Sequence, residues 1–178
     1  MLITPTGIAP DQLRPEQIVQ MSLTGRVDPG QLTPSSEWQM HAAVYAAKPA
    51  INAVVHCHSP YATILACARK PIPPMHYMVA AAGNDEIPLA RYATFGSKAL
   101  SEATLQGLSI STACLLANHG QITVATDLQG ALKLAELVEE QAHCYWGTLA
   151  IGGPVLLDKH QMKEVFTAFV SYGQQQDP

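Results

Sequence analysis

A chain of 178 residues with 48% hydrophobic and 13% charged residues has the material for one globular core and is too well supplied with apolar side chains to read as disordered. Ten basic against fourteen acidic residues give a formal charge of −4, and no basic block is present, which sets nucleic acid aside as a partner. No apolar run approaches the roughly 20 residues needed to span a bilayer, and Met1-Leu2-Ile3-Thr4-Pro5 lacks the basic start of a signal peptide, so a cytoplasmic protein with no membrane partner is expected.

Taken in chain order, Ile3-Thr4-Pro5-Thr6-Gly7 reads as a strand end entering a turn, Ile18 to Leu23 as a strand, and Asp28-Pro29-Gly30 as a turn. A first helix is expected over Glu37 to Ala47, opened by Pro34-Ser35-Ser36, with Ser36 and Gln39 at capping-box spacing. Ile51 to His58 is a strand by its β-branched content, and Ser59-Pro60 opens a helix over Tyr61 to Ala68. A proline-rich connection, Pro71 to Pro74, leads to Met75-His76-Tyr77-Met78. Ser97 to Leu108 is helical, and Ala113 to Ala117 is a strand that returns through Asn118-His119-Gly120 into Ile122-Thr123-Val124. Asp127 caps the longest helix, which stops at Gly152-Gly153-Pro154; a last helix follows Asp158 and ends near Gly173. Strands interleaved with helices, without repeats, predict a layered α/β/α domain.

The chemistry concentrates on histidine. Side chains two apart on a strand share a face, so Val54-Val55-His56-Cys57-His58 presents both imidazoles on one side and Cys57 on the other. Two such imidazoles are half of a tetrahedral zinc site, and His119, at a glycine-backed turn, is the best placed third ligand. Three neutral imidazoles leave a cation its full charge and an open position, which suits it to polarising a carbonyl. An H-x-H pair alone does not establish a metal site; the flanking motifs must carry it. Cys57, Cys67, Cys114 and Cys144 form no C-x-x-C pair and read as reduced, mostly buried hydrophobes. His41, His143 and His160 fall on predicted helices and read as surface or half-buried residues.

Six segments, Ile3-Thr4-Pro5-Thr6-Gly7, Pro34-Ser35-Ser36-Glu37, Ala53-Val54-Val55-His56-Cys57-His58, His76-Tyr77, Tyr92-Ala93-Thr94-Phe95-Gly96 and Asn118-His119-Gly120, resemble in kind and order those of class II aldolases of the fuculose-phosphate aldolase type. The resemblance covers nearly the whole chain. It implies a three-layer α/β/α sandwich with a central, mostly antiparallel sheet, one zinc ion per chain, and a homotetramer with sites at subunit interfaces. It further implies cleavage of a small phosphorylated sugar, a ketose 1-phosphate, to dihydroxyacetone phosphate and an aldehyde. Dehydratases, epimerases, decarboxylases and the metal-free adducin heads share the family. Glutamate at position 37 favours aldolase or dehydratase over epimerase, and an inactive assembly module is set against retention of all three histidines. The resemblance also places Met1 downstream of a helix and a Gly-Asn-x-Ser-type loop, so residues 1–178 read as one domain that is short at its N-terminus.

By the same resemblance His56, His58 and His119 are zinc ligands and Glu37 is the acid/base carboxylate beside the metal. Thr6, Gly7, Ser35 and Ser36 hold phosphate, Tyr77 handles the hydroxyl proton of the cleaved bond in a neighbouring subunit's site, and Phe95, Phe169 and Tyr172 wall the aldehyde pocket. Simpler readings stand beside these. A first-turn glutamate complements a helix dipole, serines before a helix cap it, Thr6-Gly7 is a turn, Tyr77 fills a loop core, and Phe169 packs on an amphipathic helix.

Overall fold

The computed structural model describes residues 1–171. A two-residue strand, β1 (Leu2–Ile3), pairs antiparallel with β2 (Val19–Gln20), with Ile3 opposite Val19. The strand expected over Ile18 to Leu23 is therefore shorter. Its partner offers only two residues, and from Ser22 the chain folds into a turn in which Ser22 N–H donates to Arg26 O and Gly25 N–H donates to Ser22 O. A bridge between Pro5 and Pro34, with Thr6 N–H on Thr33 O and Ser35 N–H on Thr4 O, ties the Thr6-Gly7 turn to the Pro34-Ser35 segment.

Helix α1 (Trp38–Ala47) starts one residue later than expected, with Glu37 as its N-cap. The capping box between Ser36 and Gln39 does not form, because Glu37 occupies the cap and turns its carboxylate toward the histidines. Strand β3 (Ala53–Cys57) ends just before His58, and α2 (Pro60–Cys67) follows with proline at its first position, where a missing N–H costs nothing. After β4 (Leu89–Ala90) come α3 (Lys98–Gly107), β5 (Ala113–Leu116), β6 (Gly120–Ala125), α4 (Leu128–Ala150) and α5 (Lys159–Phe169). Ser97, Asp127 and Asp158 cap α3, α4 and α5 through their side chains. Helix α5 stops short of the expected end near Gly173, which lies outside the described residues.

The main sheet has the order β3-β6-β5-β4, with antiparallel pairs except for β4 beside β5. Alternation along the strands makes two cores. Val54, Cys114, Leu116, Ile122 and Val124 meet Met40 and Val44 of α1 and Leu100 and Ala103 of α3. On the other face Ala113 and Leu115 meet Ala62, Leu65 and Ala66 of α2 and Val138 and Ala142 of α4. Each large aliphatic side chain removed from water in these layers contributes roughly 1.5–3 kcal/mol. The result is the expected α/β/α sandwich with a mostly antiparallel sheet. No helix among the described residues is long and apolar enough to cross a membrane.

Candidate metal centre

Two elements deliver the histidines to one point, and the start of α1 adds Glu37. Strand β3 carries His56 on the same face as Val54, and His58 follows at its end. His119 stands in the β5–β6 turn, where Asn118 adopts the left-handed conformation at φ 55°, held by Arg69 Nε–H donating to Asn118 Oδ1 at 3.1 Å. Pairing of Cys57 with Gln121 and of Leu116 with Gly120 brings this turn beside the end of β3. The approach is close: a Cβ at Gly120 would fall 2.5 Å from Cys57 O and 2.9 Å from His58 Cδ2. That is why a glycine must follow His119.

The three rings stand edge to face, with centroids 4.8–5.0 Å apart. His56 Nε2 lies 3.1 Å from His58 Nε2 and 2.7 Å from Glu37 Oε2, and His119 Nε2 lies 3.4 Å from Glu37 Oε1. One donor atom from each of these four residues lies within 4.8 Å of the others. His56 Nδ1–H donates to Gln121 O at 2.8 Å, which in the neutral ring leaves Nε2 a bare acceptor facing a carboxylate and a second imidazole. Glu37 Oε1 is buried without a hydrogen-bond partner. Acceptors turned on one another at such distances require a proton or a cation between them, and three imidazole nitrogens beside a carboxylate are donors that suit a divalent ion. The residues fit a divalent cation. Cys57 lies outside the cluster, and burial pushes its thiol up.

Burial also pushes the Glu37 carboxyl up, but the contacts with His119 and His56 more than reverse this and hold it well below the usual carboxylate range. The His58 imidazole is lowered, first by burial and then by the charges of His56 and His119, with Glu37 opposing. Neutral imidazoles are what a cation needs.

His41 is half-buried on its helix, in line with the expectation from sequence, but it packs close enough to the cluster to feel its charges. It lies one helical turn beyond Glu37 on α1, and the i, i+4 spacing from a site carboxylate was the available signal. Burial lowers it to about 4; His56 adds to this and Glu37 opposes it. Because the folded value lies below the ordinary value near 6.5, the folded chain binds fewer protons than the unfolded chain between these limits. The stability due to neutral His41 is therefore present above about pH 6.5 and lost as pH falls through about 4. Chelator-treated protein is expected to lose about 3 kcal/mol from this group across that window. Urea unfolding at stepped pH, beside His41→Gln, measures the difference.

A cavity of about 280 Å³ opens beside the cluster, lined by Ser36, Glu37, His58, Tyr92, Ala93, Phe95, Asn118 and His119. Phe95 and Ser36 thus border the space next to the histidines. Gly96, at φ 68°, passes so close to Ser36 that a Cβ would lie 2.9 Å from its carbonyl oxygen. Ser35 Oγ accepts from Glu37 N–H at 3.3 Å. Thr6 and Gly7 reach Ser35 through the backbone ties described above, and Gly7 takes φ 75°. Tyr77 stands in a 3-10 turn over Tyr77–Ala82, its ring 4.6 Å from His76 and 6.4 Å from Phe169. Phe169 borders a separate cavity between α4, α5 and this turn, and neither it nor Tyr77 lines the space beside the histidines within one chain. Tyr172 lies outside the described residues. His143 stacks on Tyr61 at 3.8 Å, and His160 pairs with Glu164 on the surface.

An α/β/α sandwich that gathers three histidines and a glutamate from a strand end, a hairpin turn and a helix start offers a site able to hold a metal ion. Its family follows from comparison with known proteins. Residues 1–146 match the class II aldolase and adducin N-terminal domain. The chain is 44% identical over 173 residues to a 5-methylthioribulose-1-phosphate/5-deoxyribulose-1-phosphate aldolase of Rhodospirillum rubrum, covering 97% of this chain and 78% of that one. It is 44% identical over 174 residues to an L-fuculose phosphate aldolase of Escherichia coli K12, covering 97% and 80%. A solved L-fuculose 1-phosphate aldolase superposes with a TM-score of 0.89 at 38% identity, over 95% of this chain and 79% of that one. The chain belongs to the class II aldolase and adducin family, and its close relatives are aldolases, that is, lyases.

Proposed function

We propose that this chain is a zinc-dependent aldolase that cleaves a ketose 1-phosphate, of the fuculose 1-phosphate kind, to dihydroxyacetone phosphate and an aldehyde. The observation that carries the reading is the convergence of His56, His58, His119 and Glu37 beside a small cavity. A divalent cation held by the three imidazoles would polarise the substrate carbonyl and offset the negative charge that grows on its oxygen as the C3–C4 bond breaks.

The chain's own groups supply the rest. Glu37, kept ionised by its histidine neighbours, serves as a base that takes a proton from C3 of dihydroxyacetone phosphate in the synthetic direction and returns it in cleavage. Ser36 at the cavity wall, with Ser35, Thr6 and Gly7 next to it, brings hydroxyls to the start of α1, a setting that attracts a phosphate. Phe95 gives the aldehyde portion an apolar wall. Tyr77 serves the site of a neighbouring subunit in a homotetramer and handles the proton of the C4 hydroxyl, while Phe169 and Tyr172 wall the aldehyde pocket. Exposed Phe95 and Tyr77 support that assembly, since 67% and 41% of their surfaces face solvent in the single chain.

The equal identity to fuculose-phosphate and to methylthioribulose- and deoxyribulose-phosphate aldolases keeps a second substrate in view, a 5-substituted ribulose 1-phosphate. A panel of both kinds, assayed for dihydroxyacetone phosphate release with zinc and after chelation, tests the proposal. Release from at least one ketose 1-phosphate that chelation abolishes and zinc restores is expected. Elimination of water in place of carbon–carbon cleavage would identify a dehydratase of the same family.

A further inference from the structure

Helix α4 contributes no side chain to the metal cluster, yet four hydrogen bonds join it to β6 and to the start of α2, the elements beside and just after His56–Ser59. Ala131, Ala135 and Glu139 recur at every fourth position of α4 and so lie on one stripe. The two alanines let the helix backbone approach β6: Thr123 Oγ1 donates to Ala131 O at 2.8 Å and Gln121 Nε2 donates to Ala135 O at 3.0 Å. Glu139 extends further. Its two carboxylate oxygens accept from Tyr61 N–H and Ala62 N–H, both at 2.9 Å, and so cap the first turn of α2.

This capping is unusual in its source. Ser59 is the N-cap of α2, but its side chain makes no capping bond. Its hydroxyl instead accepts from Gln121 Nε2 at 2.7 Å. Gln121 is fully buried, and its main-chain oxygen is the acceptor that orients His56. The same residue thus fixes the ring of His56 through its backbone and the residue after His58 through its side chain. Both ends of His56-Cys57-His58-Ser59 are held by groups anchored on α4.

We propose that α4 is the positioning element of the metal centre, with Gln121 and Glu139 as positioning residues that preset His56 and His58 for one cation. The inference rests on the metal reading above. Outer partners of metal-bound histidines commonly govern affinity 10–100-fold, because the bound geometry need not then be assembled at the moment of binding. Glu139→Gln places an amide NH₂ against one of the two N–H donors it now satisfies, and Gln121→Leu removes both side-chain links while keeping the backbone carbonyl.

The test is zinc affinity by chelator competition on the whole chain, together with the visible spectrum of the cobalt-substituted protein, which reports ligand geometry independently of turnover. Leu108→Ala, a core truncation remote from these links, serves as the control for lost stability. Zinc binding weakened more than twofold, up to the roughly 10–100-fold that loss of a direct partner of a ligand costs, is expected in Glu139→Gln and Gln121→Leu with altered cobalt bands, while Leu108→Ala keeps the wild-type values. Should one variant not fold, the other decides. Affinities and spectra within twofold of wild type, or an equal loss in Leu108→Ala, would overturn the positioning role and leave the metal reading standing. A wild-type chain that binds no divalent cation would overturn both.

Discussion

His119→Ala is expected to cost the protein its divalent cation and its aldol cleavage together. The variant removes one of three imidazoles, so the loss of affinity should exceed the 10–100-fold that follows from removing an outer partner of a ligand. The fold should survive. His119 belongs to a turn whose backbone is held independently, by Asn118 N–H on Ala66 O and by the antiparallel β5–β6 pairing, and neither uses the imidazole. A second consequence follows from the electrostatics. Glu37 owes its low carboxyl to His119 and His56 acting against burial, so without His119 it should titrate higher. Metal content, dihydroxyacetone phosphate release and chelator-treated melting temperature, taken on one preparation, separate the outcomes. Loss of metal with an unchanged melting temperature of the chelated form matches the account; retained metal and turnover would remove His119 from the ligand set.

Glu37→Gln carries the second large effect and should divide binding from chemistry. The amide keeps the shape of the carboxylate and an oxygen that can face His56, so zinc and substrate should still bind. It cannot accept a proton from carbon at a useful rate. A positioned acid/base group is worth roughly 10²–10⁴ in rate, or about 3–5 kcal/mol of barrier. A fall in kcat of that size with little change in KM is therefore expected. Exchange of a C3 proton of dihydroxyacetone phosphate with deuterated solvent, followed by NMR, isolates the step: wild type should catalyse it and Glu37→Gln should not. A kcat within tenfold of wild type would place the acid/base group elsewhere.

The parts of this site that were legible in the sequence are those governed by local periodicity. The two-residue spacing of His56 and His58 fixes a shared direction on a strand, and Asn118-His119-Gly120 announces a tight return by its composition. Asp127 and Ser97 declare helix starts through short-range hydrogen bonds that their side chains do form. What could not be read was set by distant partners. Ser36 and Gln39 have capping-box spacing, but Glu37 is drawn toward histidines 19 and 82 positions away, and the box does not form. The strand at Ile18 to Leu23 is limited by a partner strand of two residues. Gln121 and Glu139 act across separations of 62 and 78 residues, and no local pattern distinguishes them from ordinary residues of a strand and a helix. His41 lay between these cases: its helix position and partial burial were visible, but its closeness to the histidine cluster was not.

The central claim is that His56, His58 and His119 hold one divalent cation. The measurement that tests it most directly is the metal content of the purified, folded chain by elemental mass spectrometry after exhaustive dialysis. The account predicts about one zinc, or an equivalent divalent ion, per chain. A folded chain that carries none, and takes none up from added zinc, would contradict it.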